Sequence, residues 1–364
     1  MGADVRLALQ GDARPAAAEE TCAFARLAAP LVRLRCSGLT RGALSGGVIV
    51  LSTAVLPNAH FIARFREKHA YSEASLVWWI HEGGSVMELL GEEALARALA
   101  VLAAPGLLDA VIFVSDFCRR FWVRAAAARG LTIAARTFIL HWGIPDVKRD
   151  ALGAAVLDDR GAAAVRASLG LCADDFVFLS LASFNPLKGH AGIVRALAQA
   201  NARCPTPRRL RLVAAGVGIG SPGLFPAADV RWALAHPDFR FLRATANVGA
   251  LLGAADAYVS NSQRGGETWG LSTLEAAAAG LAVLASGVGG TLEQLEHNVS
   301  ALFHAVDTGD ERAEESELAA HMCAVATDEA LAARIAAGGQ LRASVALGQA
   351  YLEGALEQLF DELR

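Results

Sequence analysis

The sequence predicts an α/β protein of two domains, each with a parallel sheet covered by helices. The chain has 364 residues, which is a length that accommodates two domains of ordinary size. Short apolar runs alternate with helix-like segments almost throughout, as they do when parallel strands are buried on both faces. The alternation weakens over residues 143–173, where the chain is charged at 146–150 and turn-like at 158–161. We therefore predict a first domain over 1–150, a second over 151–342 and a terminal helical segment over 343–364.

The strands of both domains are short runs rich in branched and aromatic side chains. In the first domain they are predicted at 5–9, 31–34, 48–51, 76–80, 110–114 and 137–140, and helices are predicted at 16–27, 58–69, 86–102 and 117–128. In the second domain the strands are predicted at 176–181, 210–215, 239–242, 257–260 and 281–285. A helix is predicted from about 190 to 200, and a long one over 343–363 ends the chain.

The segment 266–275 carries two carboxylates around the start of a predicted helix. Glu267 lies in the loop after strand 257–260, and Glu275 lies one turn into a helix that begins near Leu271. The first N–H groups of a helix lack backbone partners and carry partial positive charge, which suits a diphosphate. A carboxylate accepts several hydrogen bonds, which suits sugar hydroxyls. A surface helix with solvated glutamates is the alternative interpretation.

Two glutamates with seven residues between them, followed by the segment LAVLASGVGGTLEQL, resemble the signature of retaining glycosyltransferases of family 4, which have the GT-B fold. The resemblance implies two Rossmann-like domains facing a cleft, with the terminal helix crossing back to the first domain. It implies that Glu275 holds the ribose of a nucleotide-sugar and that Glu267 lies beside the transferred sugar. It also places Trp269, Gly270 and Leu271 at the donor.

Lys188 is a compact cation at a predicted strand-to-helix turn, where a second positive group could help to clamp a diphosphate. In the family this motif is G-R-L, three residues and K-G. Lys188 and Gly189 fit it, whereas Ser183 occupies the place of the arginine. The resemblance therefore assigns Lys188 and Ser183 to the donor site with one phosphate contact fewer. A solvated lysine is the alternative for Lys188.

Gly216 and Gly218 follow the predicted strand 210–215 and suggest a dinucleotide site. The pattern G-x-G-x-x-G fails because Ser221 replaces the third glycine and prolines follow at once. The family resemblance instead implies that Gly216 and Gly218 pass close to the donor nucleotide.

His81 follows the strand 76–80, and ligands of open parallel sheets bind outside the carboxyl ends of strands. The resemblance implies that His81 faces the donor sugar from the first domain and takes part in catalysis. A histidine that caps a helix or lines a cleft is the alternative. The basic, aromatic segment 117–124 could lie on a membrane surface, although an ordinary packed helix fits it better.

Composition excludes several classes of function. The net charge of −4 argues against nucleic-acid binding, and the chain has no apolar run long enough to span a membrane and no secretory signal pattern. The six cysteines fit neither a zinc site nor a disulfide framework. We expect a cytoplasmic protein with no metal site, and no cofactor besides the nucleotide-sugar, which would be a substrate.

The sequence thus predicts a retaining hexosyltransferase that moves a sugar from a nucleotide-diphosphate sugar to an acceptor hydroxyl on a glycan, lipid or small molecule. An epimerase or hydrolase acting on nucleotide-sugars is one alternative. A catalytically weak homologue that acts as a binding protein is another. Residues 5–9 look like the second strand of the family's first domain, so we also expect that domain to lack its usual beginning.

Overall fold

A computed structural model of the chain describes residues 5–8, 48–52, 55–68, 75–156, 158–217, 235–243 and 247–363. The chain divides into two compact units, of which one contains Met1–Trp142 with Ala350–Arg364 and the other Gly143–Gln349. The segment after residue 349 therefore belongs with the first unit. The predicted strand 31–34 and helix 16–27 lie outside the described residues.

Within its described residues, the first unit contains a five-stranded parallel sheet in the order β1-β2-β3-β4-β5. Its strands are Val5–Ala8, Val48–Ser52, Ser75–Ile80, Ala110–Phe113 and Arg136–Ile139. Its helices are α1 Val55–Lys68, α2 Gly84–Leu90, α3 Glu92–Ala103 and α4 Asp116–Ala127, with α13 Gln349–Leu363 at the far end of the chain. The central strand β3 is almost wholly buried, as its unbroken apolar run predicts.

In the described part of the second unit, six parallel strands form one sheet in the order β11-β10-β9-β6-β7-β8. Its strands are β6 Phe176–Leu181, β7 Leu210–Gly216, β8 Phe239–Arg243, β9 Ala257–Ser260, β10 Ala282–Ser286 and β11 Leu302–His304. After β8 the chain returns to the other side of β6, so the winding direction reverses between β6 and β9. This reversal leaves a crevice at the carboxyl ends of the two strands, where doubly wound proteins bind their ligands.

Helices cover both faces of the second sheet. They are α5 Asp146–Val156, α6 Asp159–Ser168, α7 His190–Arg203, α8 Val248–Gly253, α9 Leu271–Ala278, α10 Thr291–Gln294, α11 Glu311–Thr327 and α12 Glu329–Leu341. Ile193, Val194 and Leu197 of α7 are fully buried against the strands, together with Met322 of α11. The two parallel sheets confirm the predicted fold class.

Two predicted elements differ from the structure, and one strand was not predicted. The helix predicted over 86–102 is two helices, because Gly91 adopts a φ of 88°, which breaks the helical path. The stretch 158–161 is not a turn, because Asp158 caps α6 by accepting a hydrogen bond from the N–H of Gly161. Strand β11 was not predicted, since three residues are too few to give a periodic signal.

The long helix predicted over 343–363 is also interrupted. Residues Arg342–Ala346 form a π-helical turn, and α13 begins only at Gln349. The carbonyl of Leu347 accepts a hydrogen bond from the N–H of Ile144, and a Cβ on Gly143 would lie 2.4 Å from the same carbonyl oxygen. The strand-like contact with 143–144 thus replaces helical hydrogen bonding at this point.

The first described strand lies at one edge of its sheet. Val5–Ala8 pairs with Val48–Ser52 and, within the described residues, has no neighbour on its other side. The turn near Gly11, which would identify this strand as the usual first strand, lies outside the described residues. The expectation of a shortened first domain therefore stays a prediction.

Candidate functional site

A cavity of about 240 Å³ opens where the sheet of the second unit reverses its winding. The ends of β6 and β9 form its floor, and the beginning of α9 forms one wall. Its lining residues are Ser180, Leu181, Ala182, Ser183, Lys188, Ser260, Asn261, Glu267, Trp269, Leu271 and Ser272. Five residues that the sequence assigns to the donor or to catalysis meet here, namely Ser183, Lys188, Glu267, Trp269 and Leu271.

Lys188 reaches the cavity from a tight turn after β6. The side chain of Asn185 caps the short 3-10 turn Pro186–Lys188 by accepting from the N–H of Leu187. Gly189 then adopts a left-handed φ of 55° and leads directly into α7. The Nζ of Lys188 lies 2.8 Å from Oε2 of Glu267 and 3.2 Å from the carbonyl oxygen of Gly266. Both charged side chains are about one-sixth exposed, 17% and 16%.

Glu267 is held by the loop that precedes α9. Its carbonyl oxygen accepts a hydrogen bond from the N–H of Gly290, and a Cβ on Gly290 would lie 1.9 Å from the carbonyl oxygen of Thr268. Only glycine therefore permits the two loops to pack this closely. The Nε2 of Gln294 donates to the carbonyl of Gly270, which fixes the residue before the helix.

The beginning of α9 faces the same cavity. Gly270 precedes the helix and, being glycine, provides no side chain to cap its first N–H groups. The first intrahelical hydrogen bond runs from the N–H of Leu274 to the carbonyl of Gly270. The helix end thus presents backbone N–H groups and partial positive charge close to the ammonium of Lys188. Two positive features and one carboxylate are therefore concentrated at the mouth of the crevice.

Glu275 lies on the same helix but does not line this cavity. Its Oε1 is 2.6 Å from the Nζ of Lys148 on α5, and its side chain is 13% exposed. The two glutamates therefore have different partners. Glu267 pairs with Lys188 at the cavity, and Glu275 pairs with Lys148 on α5.

Ser183 and Gly216 lie at neighbouring strand ends. The Oγ of Ser183 accepts a hydrogen bond from the amide of Asn185, so this hydroxyl supports the turn as well as lining the cavity. A Cβ on Gly216 would lie 1.8 Å from the carbonyl oxygen of Ala182, so the two segments pack backbone to backbone. Gly218 lies outside the described residues.

His81 is located in the first unit, at the end of β3. Its Nε2 lies 2.9 Å from Oγ of Ser52, and its ring packs edge-on against Trp142 with 5.3 Å between ring centroids. The ring of Trp79 is also 5.3 Å away. Burial lowers the pKa of His81 to about 4, so the imidazole is neutral at pH 7. It can therefore accept or donate a proton in a hydrogen bond without carrying charge.

A family model described as Glycosyl transferases group 1 matches residues 163–340, slightly less than half of the chain. The matched region contains the crevice, Lys188, Glu267 and Glu275. The second unit carries a glycosyl transferases group 1 domain.

Solved structures that match 87–99% of this chain share its GT-B fold of two parallel-sheet α/β units. The HepE protein of Anabaena in complex with UDP is 18% identical, with a TM-score of 0.70, and the match covers 99% of this chain and 100% of that one. Sucrose-phosphate synthase from Thermosynechococcus elongatus is 22% identical over 87% of this chain and 73% of its own, with a TM-score of 0.65. An α,α-trehalose 6-phosphate synthase from Burkholderia multivorans is 15% identical over 87% and 70%, with a TM-score of 0.63. No curated protein sequence matched the chain.

Sequence reasoning missed three polar residues at the crevice of the transferase domain. Ser272 lines the cavity, and the phenol of Tyr258 lies 2.9 Å from its hydroxyl oxygen. Burial raises the pKa of Tyr258 to about 12, so this phenol keeps its proton. Asn261 lines the cavity at the end of β9. The signal for all three was available, because each lies in or next to a strand end or the first turn of α9.

In the described parts of the chain, no group of three or more His, Cys, Asp or Glu side chains is arranged to hold a metal ion. Over the same residues, no helix combines the length and apolar character that crossing a bilayer requires.

Proposed function

We propose that the protein transfers a sugar from a nucleotide-diphosphate sugar to an acceptor hydroxyl and retains the configuration of the anomeric carbon. The observation that carries the proposal is the polar crevice at the β6–β9 reversal, where Lys188 and the beginning of α9 meet Glu267. A diphosphate matches the two positive features, and a sugar matches the carboxylate. The matched glycosyl transferases group 1 model supports the same chemistry.

Lys188 and the beginning of α9 would act on the leaving group. When the bond between sugar and diphosphate breaks, negative charge grows on the diphosphate oxygens. A fixed ammonium and fixed backbone N–H groups stabilise this charge without having to reorient, which is how preorganised sites lower a barrier. The ion pair with Glu267 holds the lysine in place before the donor arrives.

Glu267 would bind hydroxyls of the transferred sugar. Its carboxylate lies at the same cavity as Lys188, so a donor whose diphosphate engages the lysine would bring its sugar within reach of this side chain. We assign Glu275 to the ribose on the family resemblance. Binding of a ribose there would require Glu275 to share its carboxylate between Lys148 and the ribose hydroxyls. The role assigned to His81 stays a prediction of the same kind.

Complexes of similar proteins support the choice of donor class. The Anabaena HepE protein has been crystallised with UDP, with UDP and glucose, and with UDP-glucose. We therefore propose uridine diphosphate sugars as the first donors to try. The resemblance also supports an enzyme that works without a metal ion.

The proposal is tested by screening UDP-, ADP- and GDP-sugars for a rise in melting temperature and for release of the nucleoside diphosphate. Release that depends on an added hydroxyl acceptor, with a product whose anomeric NMR coupling matches that of the donor, is the expected result. Release without an acceptor would instead identify a hydrolase, and a changed sugar without transfer would identify an epimerase. Donor binding without any turnover would identify a binding protein.

A matched pair of variants connects the activity to the crevice. Glu267→Gln removes the charge that faces the cavity, and Glu329→Gln makes the same change at an exposed position at the beginning of α12. We expect turnover to fall only in the first variant. Equal activity of the two would remove Glu267 from the mechanism. Addition of a chelator should leave the rate unchanged.

A further inference from the structure

Behind the Lys188 turn, two buried polar side chains form a chain of hydrogen bonds that no part of the proposed mechanism uses. The Nε2 of His304, at the end of β11, lies 2.9 Å from Oδ1 of Asn261. The Nδ2 of Asn261 donates to the carbonyl of Gly189 at 3.0 Å. His304 is 2% exposed and Asn261 is 6% exposed, so water competes little for either bond.

The chemistry of the three groups fixes the direction of this chain. A backbone carbonyl can only accept, so the amide of Asn261 must present its NH₂ group to Gly189. Its carbonyl oxygen then faces His304, and His304 must carry its proton on Nε2. Burial lowers the pKa of His304 to about 3, so the ring stays neutral in this tautomer throughout the working pH range.

The receiving carbonyl is the one that begins α7. The oxygen of Gly189 accepts from the N–H of Ile193, which closes the first turn of the helix, and also from Asn261. Gly189 follows Lys188 directly and has a left-handed φ of 55°. A Cβ at this position would lie 2.4 Å from the carbonyl oxygen of Asn261. The turn that carries the lysine is therefore packed tightly against the end of β9.

A second contact joins the same two segments. The N–H of Gln263 donates to the carbonyl of Leu187 at 2.8 Å, one residue before the lysine. The loop after β9 thus holds the Lys188 turn on both sides, at Leu187 and at Gly189. The side chain of Lys188 is left to reach Glu267 across the cavity.

We propose that Asn261 and His304 are positioning residues, which hold the Gly189 carbonyl and thereby fix Lys188 where charge develops on the departing diphosphate. The inference rests on the proposed function and adds two residues to it. His304 does not contact the donor directly, because its side chain is only 2% exposed. A purely structural role would lower stability in every variant but would leave the activity of the folded protein unchanged.

The first test does not depend on activity. Acetic anhydride modifies lysines at a rate set by exposure and hydrogen bonding, and mass spectrometry reads each site separately. His304→Leu removes the hydrogen-bond donor to Asn261. We expect it to raise the acetylation rate of Lys188 several-fold relative to wild type. Lys148 is the internal control, because it pairs with Glu275 on other elements and should react at an unchanged rate.

Two further variants distinguish loss of the hydrogen bond from misfolding. His304→Gln retains an N–H donor at similar reach and should restore a slow Lys188 reaction. Asn261→Asp keeps the size of the side chain but places an acceptor opposite the Gly189 carbonyl, so it should behave like His304→Leu. An unchanged rate at Lys188 in both His304→Leu and Asn261→Asp would overturn the proposal.

The second test uses turnover. We expect His304→Leu to lower kcat on the order of tenfold, as small misplacements of a reacting group do, with a smaller change in KM and with recovery in His304→Gln. In a Lys188→Ala background the same substitution should have no further effect on kcat. Independent losses in the double variant would overturn the proposal. A wild-type protein without turnover would contradict the proposed function alone, since the acetylation result stands apart from it.

Discussion

The two ends of the second sheet use their charged groups differently. At the amino end, the guanidinium of Arg211 on β7 lies between Asp175 and Asp238, 3.5 Å from an oxygen of the first and 3.8 Å from an oxygen of the second. All three side chains are at most 10% exposed. At the carboxyl end, Lys188 and Glu267 form one ion pair that borders an open cavity.

In a second cluster at the amino end, the charged side chains also bind one another. Asp256 binds the guanidinium groups of Arg166 and Arg208 and also accepts from the N–H of Val177, at distances of 2.7–3.2 Å. Its oxygens are thus engaged by the protein itself. At the carboxyl end, glycines at 189, 216 and 290 permit backbone to approach backbone instead of filling the space with side chains. Charges that satisfy one another stabilise the fold, whereas charges beside open space can bind a substrate.

Removal of the amino-end guanidinium tests this contrast most strongly. Arg211→Leu leaves Asp175 buried without its guanidinium partner, while Asp238 keeps its pairing with Arg209, and we expect a loss of about 3 kcal/mol or more in the free energy of unfolding. The activity of the folded fraction should not change. Urea unfolding measures the loss, and turnover at saturating donor measures the activity.

Arg240→Leu is the matched control, because this arginine lies on the neighbouring β8 and donates to backbone carbonyls rather than to a buried carboxylate. Its substitution should cost far less stability. If Arg211→Leu impaired turnover in the folded state, the division between the two ends of the sheet would not hold.

Removal of the carboxyl-end cation should have the opposite signature. We expect Lys188→Ala to lower kcat on the order of 100-fold, equivalent to about 2.7 kcal/mol, because a preorganised positive charge is lost from the departing diphosphate. Stability should change little, since Glu267 is partly solvated and can hydrate. Steady-state kinetics and urea unfolding together check the prediction. Lys188→Arg should retain part of the rate, and normal kinetics in Lys188→Ala would exclude the lysine from the phosphate site.

Acid should affect the carboxyl end through its buried histidines. Burial lowers the pKa of His190 to about 4, assisted by the nearby charge of Lys188, and that of His304 to about 3. Both values lie below the ordinary 6.5, so protons bind the unfolded chain first. The stability that the two neutral histidines contribute is therefore fully present above about pH 6.5, and it is lost as the pH drops towards 4. Each histidine contributes a slope of about 1.4 kcal/mol per pH unit in this range.

Urea unfolding at a series of pH values between 7.5 and 4.5 measures this slope. His304→Gln, which has no titrating group, should reduce the slope relative to wild type. An identical slope in the two proteins would mean that His304 takes up its proton in the folded state as readily as in the unfolded one.

The smallest effect is expected at Ser183. In place of the arginine that the family motif contains, this serine provides a hydroxyl that supports the turn through Asn185. Ser183→Arg should tighten binding of a nucleoside diphosphate by about 1 kcal/mol or more, through a charge-assisted hydrogen bond. Calorimetry with UDP and UMP should show the gain only for the diphosphate. An equal gain for both, or none, would mean that position 183 does not face the second phosphate.

The fold was largely predictable because buried parallel strands appear in the sequence as short, unbroken apolar runs. The predicted ends of β6 and β9 match the structure to the residue. The location of the crevice could be predicted from these strand ends, because Lys188 and Glu267 come shortly after them. Helix boundaries were less predictable where one residue decides them. Asp158 caps a helix although it looks like part of a turn, and Gly91 divides a helix that its apolar pattern would continue.

The partners within the site could not be predicted. Nothing in the spacing of the two glutamates indicates that Lys148 would bind Glu275, because the lysine precedes it by 127 residues. The contact between His304 and Asn261 likewise joins residues 43 positions apart. Such pairs depend on how elements pack in three dimensions, whereas motifs report only what adjacent residues do.

Because Ala350–Arg364 belongs to the first unit, that unit cannot complete its folding until the ribosome has made the whole chain. Translation completes the whole of Gly143–Gln349 before it reaches α13, so the transferase domain can form its sheet while the first unit still lacks a helix. Arg136 at the end of the earlier unit binds the side chain and the carbonyl of Glu362. The part of the chain that is made first is therefore the part that finishes folding last.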